Sequence, residues 1–445
     1  MPAKTAAIKT LGCKLNQFES EQMRVQLEAL GYRIVPFDSP AQLYIINSCM
    51  VTTSTARDCR RLCRRTKRLN PDSRLIATGC YAQVAPEELQ RIAAVDLVID
   101  NAARGRLTEF VSPIAKPRKD GCLPTYGDTG PMIRRMSRHT RAFVKVQEGC
   151  DAHCAYCVIP MARGPSRSIP PTQVLEQVQI LIETGHPEIV LIGTHLGQYG
   201  TDLAEDIDLA GLVQRLCELP ELPRLRLSSI EPREVTDELI ELVAAGGRCL
   251  HPQANAAADG KLSRHWHIPL QSGCDEILQR MNRPYDTAFY RTLIERIKSA
   301  DADTTVGADV IVGFPGETDQ HFVQTQAFIE ELPLTYLHVF TYSARPGTAA
   351  MQMADQIPGQ VRKQRNHILR AISERKRAAF ARQMVGKTLE VVVEQSAATP
   401  DGHLRAITDN YLRAEAVGRG EMIETVAKMR VTDVEGALLH GKLLD

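Results

Sequence analysis

The sequence has few aromatic residues, no long apolar run and almost no net charge. Only one of the 445 residues is tryptophan, and Phe, Trp and Tyr together make up 5%. No apolar run reaches the roughly 18 residues of a membrane-spanning helix, and the N-terminus lacks the apolar stretch of a secretory signal. A formal net charge of +1 excludes a uniformly basic, histone-like protein. We expect a multidomain cytoplasmic protein with no membrane segment.

Cysteine, by contrast, is plentiful. Twelve cysteines in a long chain without an export signal indicate metal binding or catalysis rather than disulfides. Positive charge is also clustered, once beside the single acid Asp58 and again between Arg362 and Lys387, where Glu374 is the only acid. Each cluster alone is typical of a solvated helix face, whereas the two together suit a polyanion such as RNA. The basic residues of the first cluster are Arg57, Arg60, Arg61, Arg64, Arg65, Lys67 and Arg68.

Residues 1–115 alternate short apolar runs with helical patterns. Helices are expected at Glu19–Leu30 and Thr55–Leu69, which gives βαβ units and a doubly wound parallel sheet in an α/β domain. Residues 116–139 are rich in Pro, Gly and charge, and we interpret them as a linker. The predicted strands of this first domain are Ala6–Leu11, Leu43–Ile46 and Leu75–Thr78.

Residues 140–383 repeat the alternation at longer spacing, which predicts a partial (β/α)6 barrel of the TIM type with its chemistry at the carboxyl ends of the strands. The Ala- and Gly-rich segment Gly246–Leu262 has the composition of a surface insertion. Residues 384–445 contain four or five short alternating strands, typical of a small closed β-barrel that binds oligonucleotides. The predicted strands of the larger barrel are Ala142–Val146, Ile189–Ile192, Leu225–Leu227, His267–Leu270, Thr305–Val312 and Tyr336–Phe340.

The most specific motif is GCDAHCAYC, in which Cys150, Cys154 and Cys157 follow the first barrel strand. Tetrahedral zinc would need a fourth ligand, and His153 is badly placed to supply it. A [4Fe–4S] cluster with three protein ligands leaves one iron open for another ligand. With Tyr156 before the third cysteine, the motif resembles the signature of the radical S-adenosylmethionine superfamily. That resemblance implies an open iron that chelates the cofactor and a 5′-deoxyadenosyl radical.

A second set of cysteines is dispersed, with Cys13, Cys49 and Cys80 each following a predicted strand of the first domain. Because the carboxyl ends of parallel strands meet at one edge, the three thiols are expected to converge as metal ligands. The alternative is that cysteine serves as a small buried residue. Cys59 and Cys63, four residues apart on a basic helix, are spare ligands or structural residues. The cysteines interpreted as structural are Cys122, Cys217, Cys249 and Cys274.

With both sets of cysteines, the whole chain resembles the methylthiotransferase family. Further shared motifs are HIPLQSG, MNRPY, DVIVGFPGET and FTYSARPGTAA, and residues 384–445 look like the family's RNA-binding TRAM domain. Within the family, TLGCKLN at Thr10–Asn16 is most similar to the branch that acts on N6-threonylcarbamoyladenosine at position 37 of tRNA. The resemblance implies insertion of a methylthio group at C2, two [4Fe–4S] clusters and two molecules of S-adenosylmethionine. It also implies the tRNA anticodon stem-loop, a reducing electron donor and a sulfur source as partners.

Several residues near the predicted strand ends are candidates for contact with S-adenosylmethionine. Gly313 and Gly316 suit a tight turn against the cofactor, although such a pair is often only a turn. His267 is equally well explained as a core histidine with its hydrogen bonds satisfied. The full set of cofactor candidates is Tyr156, Ser228, Ser229, Glu231, Gln271, Gly313 and Gly316.

Other functions remain open at this point. A sister enzyme acting on N6-isopentenyladenosine, or on an aspartate of a ribosomal protein, differs mainly in its substrate pocket. An iron–sulfur protein that only binds RNA explains the basic clusters but not six well-placed cysteines. A simple electron carrier normally has four cysteine ligands for each cluster.

Overall fold

Five short parallel strands form the sheet of the N-terminal region. They are β1 (Thr5–Leu11), β2 (Arg33–Ile34), β3 (Leu43–Ser48), β4 (Arg74–Gly79) and β5 (Leu97–Val98). Their order is β2-β1-β3-β4-β5, so the direction in which strands are added reverses between β1 and β3. In such sheets the crevice at this reversal is the usual ligand-binding edge.

Helices cover both faces of this sheet, as a doubly wound domain requires. Successive residues of β3 alternate between two hydrophobic cores, with Tyr44 and Ile46 in one and Leu43 and Ile45 in the other. Strands buried on both faces are expected to be continuously apolar, as the sequence of β3 is. The helices are α1 (Lys14–Ala29), α2 (Thr53–Leu69), α3 (Cys80–Val84), α4 (Pro86–Gln90), α5 (Asn101–Arg104) and α6 (Leu107–Val111).

The computed structural model describes residues 4–50, 53–111, 130–137, 139–247, 260–395, 399 and 401–444. Two compact units divide the chain. Unit 1 comprises Met1–Ser137, Phe143–Ala152 and Cys157–Ile180. Unit 2 comprises Arg138–Ala142, His153–Tyr156 and Leu181–Asp445. Among the described residues, no helix has both the length and the hydropathy needed to cross a bilayer.

The strands of the predicted partial barrel form two sheets of three. In chain order the strands of this region are β6 (Arg141–Lys145), β7 (Gln147–Glu148), β8 (Arg167–Ser168), β9 (Glu188–Ile192), β10 (Leu225–Leu227), β11 (His265–His267), β12 (Thr305–Val312) and β13 (Tyr336–Thr341). The sheets have the orders β10-β9-β6 and β11-β12-β13, in which the pairs β9–β10, β11–β12 and β12–β13 are parallel, while β7 and β8 form a separate antiparallel pair. Single parallel bridges, Leu225 to Leu262 and Ser229 to His267, continue the arc from β10 to β11.

The helices that follow these strands complete the βα units. They are α7 (Ile159–Arg163), α8 (Pro171–Glu183), α9 (Leu209–Cys217), α10 (Asp237–Ala244), α11 (Asp275–Arg280), α12 (Thr287–Ala300), α13 (Asp319–Glu331), α14 (Ala349–Gln352) and α15 (Gly359–Arg382). Side-chain caps fix several of the helix starts. Thr318, for example, accepts from the backbone N–H of His321 at 3.2 Å, in a reciprocal capping box that begins α13.

The C-terminal strands close into a five-stranded barrel, which confirms the prediction. They are β14 (Thr388–Val393), β15 (Leu404–Thr408), β16 (Arg413–Val417), β17 (Val426–Glu435) and β18 (Leu438–Leu444). Around the barrel the order is β14-β15-β16-β18-β17, with β16 and β18 parallel. Inward-facing residues such as Val391, Ala414 and Met429 fill its core.

Most predicted elements are present, and several of their boundaries differ from the sequence prediction. Helix α1 begins at Lys14 rather than Glu19, because Leu15, Asn16 and Phe18 are buried although the KLNQ segment is mostly polar. Strand β11 ends at His267, where the predicted strand His267–Leu270 begins. The left-handed backbone of Gln271, at φ +64°, interrupts the extended run that was predicted. Strand β16 begins at Arg413, two residues after Tyr411, which is likewise left-handed at φ +65°.

Two predicted features fall largely outside the described residues. Of the predicted linker, residues 116–129 and 138 lie outside them, as do residues 248–259 of the predicted insertion. The described residues 130–137 pack within unit 1. Ile133 there is fully buried and exchanges hydrogen bonds of 2.8 and 2.7 Å with the Gln177 side chain.

Candidate active site

Three cysteine thiols lie at one edge of the N-terminal sheet. Strands β1, β3 and β4 end at one level, because Leu11, Ser48 and Gly79 are aligned in the parallel register. The strands β1 and β3 flank the reversal of strand order, where ligands usually bind. The structure thus places the three predicted residues just after neighbouring strand ends, and their joint role as metal ligands stays a prediction. The cysteines that follow these strands are Cys13, Cys49 and Cys80.

Glycines allow the loops that carry these cysteines to approach closely. A Cβ atom at Gly12 would lie 2.8 Å from the Cβ of Cys49, and one at Gly79 would lie 2.4 Å from the carbonyl oxygen of Ser48. Gly79 also has φ +94°, a conformation that side chains rarely adopt. Both positions therefore require glycine for the cysteines to meet.

A buried polar network holds the first two loops together. The Cys13 thiol donates to Asn16 Oδ1 at 3.2 Å, and the Asn16 amide donates to Asn47 Oδ1 at 3.1 Å. Asn47 in turn donates to the backbone carbonyl of Asn16 at 2.9 Å and to Ser20 Oγ at 3.1 Å. Both asparagines are fully buried, so these bonds satisfy groups that would otherwise be costly to bury. The network positions Cys13 against β3.

A cluster of buried charges in unit 1 lies close enough to Cys80 to act on its thiol. Glu19 pairs with Arg104 and Arg163 at 2.7 Å each, and Arg163 also pairs with Glu148 at 2.8 Å. Lys145 completes the cluster, 2.8 Å from Glu148. Burial acts to raise the pKa of Glu19, but Arg104 and Arg163 outweigh it and hold that pKa below its usual range.

The charge cluster is asymmetric, with three basic groups and two carboxylates. Burial raises the pKa of the Cys80 thiol, and the nearest opposing influence is the guanidinium of Arg163. Thiols must ionise to bind a metal, and neighbouring positive charge favours the thiolate. With every group ionised, the cluster carries a formal excess of one positive charge, while burial lowers the pKa of Lys145. The charged residues did not stand out in the sequence, because they come from distant segments.

Cys59 and Cys63 belong to the hydrophobic core rather than to the sheet edge. Both are fully buried among Leu75 and Ala77 on one face of the sheet. A hydrogen bond between the two thiols and burial raise the pKa of Cys63 far above its usual range. The same hydrogen bond lowers the pKa of Cys59. Complete burial of both thiols in this core favours the structural interpretation.

The second set of cysteines lies in the loop between β7 and α7. The backbone N–H of Cys150 donates to the carbonyl of Gly164 at 3.1 Å, and Cys157 Sγ accepts from the backbone N–H of Ile159 at 3.4 Å. The three cysteines of the loop are half-buried. A Cβ at Gly149 would overlap the carbonyl of Pro165 at 1.8 Å, so glycine is required where the loop begins.

An arginine that the sequence analysis did not single out touches the middle cysteine of this loop. Arg283 donates from Nη1 to Cys154 Sγ at 3.2 Å and forms an ion pair with Glu231. Its Nε donates to the Tyr285 hydroxyl at 3.1 Å. Burial lowers the pKa of Arg283, but Tyr156 and Glu231 outweigh it, and the guanidinium stays charged. The MNRPY motif was the available signal, and Arg283 is its central residue.

Of the predicted cofactor residues in unit 2, Tyr156 is half-buried and Gln271 is buried. The Tyr156 ring lies edge-on to Phe314, with centroids 6.5 Å apart, and burial raises the pKa of its hydroxyl well above the usual value. Gln271 combines a left-handed backbone with a buried Oε1 that accepts no hydrogen bond from the described residues. Backbone strain and an unsatisfied polar atom at one residue indicate a site for a ligand.

The structure places the remaining candidates as follows. Gly313 and Gly316 have φ +72° and +82°, and the Gly313 N–H donates to Glu317 Oε1 at 2.8 Å, so both occupy the expected turn after β12. Ser228 follows β10 directly. Ser229 is hydrogen-bonded to His267, and Glu231 is paired with Arg283, so both side chains already have protein partners.

Comparison with known proteins places these two sets of cysteines in a known context. Residues 5–100 match the model of uncharacterized protein family UPF0004, and residues 144–329 match that of the Radical SAM superfamily. The chain is 36% identical, over 96% of its length and 93% of the relative, to threonylcarbamoyladenosine tRNA methylthiotransferase MtaB of Bacillus subtilis (strain 168). The chain belongs to the methylthiotransferase family.

Other relatives are named as one of two kinds of tRNA-modifying enzyme. The Aquifex aeolicus (strain VF5) protein, also named threonylcarbamoyladenosine tRNA methylthiotransferase MtaB, is 34% identical over 94% of this chain and 97% of the relative. An Oceanobacillus iheyensis protein named tRNA-2-methylthio-N(6)-dimethylallyladenosine synthase is 30% identical over 99% of this chain and 84% of the relative.

A solved structure supports the fold. The radical S-adenosylmethionine methyltransferase TsrM from Kitasatospora setae, with tryptophan substrate and a cofactor analogue bound, has a TM-score of 0.56 and 12% identity. The match covers 90% of this chain and 80% of that chain. At this identity the likeness shows a shared fold, and it confirms the α/β architecture expected for this family.

Proposed function

We propose that this protein replaces the C2 hydrogen of N6-threonylcarbamoyladenosine at position 37 of tRNA with a methylthio group. The observation that carries the proposal is the presence of two separate sets of three cysteines in a chain related over its whole length to tRNA methylthiotransferases. One set comes from three aligned strand ends, and the other comes from one loop after the first barrel strands.

Each set of cysteines is proposed to hold one [4Fe–4S] cluster. When bound, such clusters supply the electron that cleaves S-adenosylmethionine and an iron site for the sulfur to be transferred. The residues of unit 1 fit this role, because the buried cluster of Glu19, Arg104, Arg163, Glu148 and Lys145 has an excess positive charge beside the thiols. The ligands proposed are Cys13, Cys49 and Cys80 for one cluster and Cys150, Cys154 and Cys157 for the other.

The protein's own residues bind, orient and exclude water. In unit 2, Arg283 fixes Cys154 through its Nη1 and is itself held by Glu231 and Tyr285. The unsatisfied Oε1 of Gln271 is available to accept a hydrogen bond from the cofactor. The cofactor contacts proposed are those of Tyr156, Ser228, Ser229, Glu231, Gln271, Gly313 and Gly316.

A basic cavity in unit 2 supports tRNA as the substrate. It has a volume of about 1000 Å³ and lies between α15 and the C-terminal barrel. Its basic residues are Arg375, Arg377, Arg382 and Arg413, with Glu374 as the only acid. Burial lowers the pKa of Arg377, and the positive charge of Arg413 acts in the same direction. An anion bound here would offset the repulsion between the two guanidinium groups. Phosphate groups of RNA suit such a cavity.

Helix α2 in unit 1 presents a second basic surface. Arg57, Arg61, Arg64, Arg65 and Arg68 are exposed along it. Arg61 and Arg65 have acidic neighbours, at 3.4 Å from Asp58 and 2.9 Å from Asp38. The remaining exposed arginines leave the surface positive, which suits a phosphate backbone.

We propose that this protein acts in the cytoplasm with a reducing electron donor and a sulfur source as partners.

The substrate is tested by nucleoside mass spectrometry of tRNA from a strain in which the gene is deleted. We expect the methylthio form of N6-threonylcarbamoyladenosine to disappear and the unmodified nucleoside to accumulate. Expression of the wild-type chain should restore the modification, and a Cys150→Ala variant should not. Loss of the methylthio dimethylallyl nucleoside instead would transfer the assignment to the other named group of relatives.

Binding of tRNA is tested separately from catalysis. Changing Arg382 and Arg413 together to Ala should weaken tRNA binding and reduce its dependence on salt concentration, because each lost phosphate contact lowers that dependence by about one unit of slope. Iron content should be unchanged. Equal binding by the variant and the wild type would exclude this cavity from the RNA interface.

A further inference from the structure

A second group of metal-ligating side chains lies inside the partial barrel, apart from the cysteines. His267 ends β11, Asp309 lies within β12, and His338 lies within β13. Asp309 and His338 are directly paired in the parallel register of β12 and β13. The Asp309 Oδ1 atom is 3.0 Å from His267 Nε2 and 3.2 Å from His338 Nδ1. One ligand atom from each residue lies within 4.8 Å of the other two.

The orientation of His267 is fixed by a neighbour. Ser229 Oγ lies 2.7 Å from His267 Nδ1. In the tautomer in which Nδ1 donates to this hydroxyl, the lone pair of the neutral imidazole is on Nε2, which lies 3.0 Å from Asp309 Oδ1. Metal-binding histidines are typically held in this way, by a hydrogen bond from the ring nitrogen that does not bind the metal. Ser229 is also one of the proposed cofactor contacts, and its hydroxyl has this protein partner.

The contact between His267 and Asp309 is short enough for a hydrogen bond, and the same distance also fits two ligands of one ion. The Nε2 atom is buried and makes no hydrogen bond with the described residues, although Asp309 Oδ1 is 3.0 Å away. Two atoms that bind the same ion also lie this close, with no hydrogen between them. Metal–nitrogen and metal–oxygen bonds of about 2.0–2.2 Å place neighbouring ligand atoms roughly 3 Å apart. An unsatisfied nitrogen and a carboxylate thus face a common point.

The cluster is accessible on one side. The His338 side chain is 51% exposed, whereas the His267 side chain is 13% exposed. The rings of His267 and His338 lie 5.0 Å apart, and Tyr336 packs beside both of them. A buried ligand, a partly buried carboxylate and an exposed imidazole give an ion an entry path and leave positions open for solvent or another oxygen ligand.

We propose that His267, Asp309 and His338 bind one divalent first-row transition ion, distinct from the iron of the cysteine sets. Two imidazoles and one carboxylate are a ligand set that suits zinc or iron(II), and three protein ligands leave coordination positions open. The competing interpretation is a hydrogen-bonded group of two histidines and one aspartate that holds no ion.

The test is equilibrium dialysis of the cluster-loaded chain against buffered Zn²⁺ without oxygen, followed by elemental analysis. We expect one zinc per chain in addition to the iron. Asp309→Asn should weaken zinc binding by at least about 100-fold, and Ser229→Ala by about 10- to 100-fold, the usual effect of removing a group that orients a ligand. X-ray absorption at the zinc edge should show nitrogen and oxygen neighbours and no sulfur, which separates this site from vacant cysteine sites.

His440→Ala is the matched control, because His440 lies 3.9 Å from Glu435 in the C-terminal barrel and has no third ligand nearby among the residues that the structure describes. It should bind zinc as the wild type does. Equal zinc binding by the wild type and Asp309→Asn would overturn the proposal, as would sulfur neighbours of the zinc. If Asp309→Asn also loses its iron, zinc binding is measured in His338→Gln instead. The His338 ring is exposed, so this change should have little effect on folding. Loss of zinc would then support the site, and retention would exclude it.

Discussion

The two sets of cysteines reach their positions by different routes. Cys150, Cys154 and Cys157 lie within eight residues of one another, and all three are half-buried. Cys13, Cys49 and Cys80 come from three strands, and two of them are buried while Cys13 is exposed. The local set needs only its loop and Arg283, whereas the dispersed set needs the parallel register, two glycines and a buried charge cluster.

This difference indicates which kinds of substitution should disrupt each set of cysteines. Local chain geometry brings the loop cysteines together, so changes elsewhere affect their environment more than their proximity. The strand-end cysteines depend on tertiary structure, so changes in the sheet or in the nearby charge cluster should separate them. The expected effects below are ordered from the largest to the smallest.

The largest expected effect separates the two sets by activity. Cys150→Ala should reduce formation of 5′-deoxyadenosine to background, because the loop is proposed to hold the cluster that cleaves the cofactor. Cys13→Ala should retain that cleavage and lose methylthio transfer. Both products are measured by mass spectrometry of anaerobic reactions with tRNA. Equal cleavage by the two variants would contradict the proposed division of roles.

Glu19→Gln should be the most destabilising change in the charge cluster. It leaves Arg104 and Arg163 buried without their shared carboxylate, and breaking a buried ion pair typically costs about 3–5 kcal/mol. The change is measured as the free energy of the unfolding transition that releases iron from the dispersed set. Glu28→Gln is the control. Glu28 pairs with Arg24 at the surface, where such pairs contribute about 1 kcal/mol or less. A similar cost for both variants would show that the buried cluster is not required.

The pH dependence of stability checks the same residue. Because Arg104 and Arg163 hold the pKa of Glu19 below its usual range, the ionised carboxylate stabilises the folded state. This stabilisation is present above the pKa of the unfolded state, about 4.3. It is lost as the pH falls through the lower pKa of the folded state. Acid titration of Glu19→Gln should therefore show a shallower loss of stability than that of the wild type.

Gly79→Ala should have an intermediate effect that is specific to the dispersed set. A left-handed backbone costs a side chain about 1–2 kcal/mol, and the new Cβ would also overlap the Ser48 backbone. Gly31→Ala is the matched control, with φ +81° and no atom within 4 Å of the added Cβ. We expect Gly79→Ala to lose about half the iron and Gly31→Ala to keep it all. Equal iron in the two variants would show that the approach of β3 and β4 is not needed.

The smallest expected effect is that of Cys59→Ala. If Cys59 is a core residue, the variant should keep all of its iron and lose about 1 kcal/mol of stability, the cost of a small cavity. Iron analysis and thermal unfolding measure the two quantities. A loss of iron from the dispersed set alone would instead make Cys59 a ligand.

Much of the fold could be predicted from the sequence, and the reasons differ from element to element. Strands β3 and β4 were found because burial on both faces makes them continuously apolar. The start of α1 was missed because tertiary contacts, not periodicity, bury Leu15 and Asn16. The end of β11 was misplaced because the left-handed backbone of Gln271 leaves no signal in residue type.

By itself the sequence determined the loop motif Cys150–Cys157 and the residues that follow each strand, because both depend on order along the chain. Only the tertiary structure decided which charges surround the dispersed cysteines, that Arg283 touches Cys154, and that His267, Asp309 and His338 meet. Those contacts join residues far apart in the chain. The packing of helices and strands sets their distances, and no local pattern of residue types records that packing.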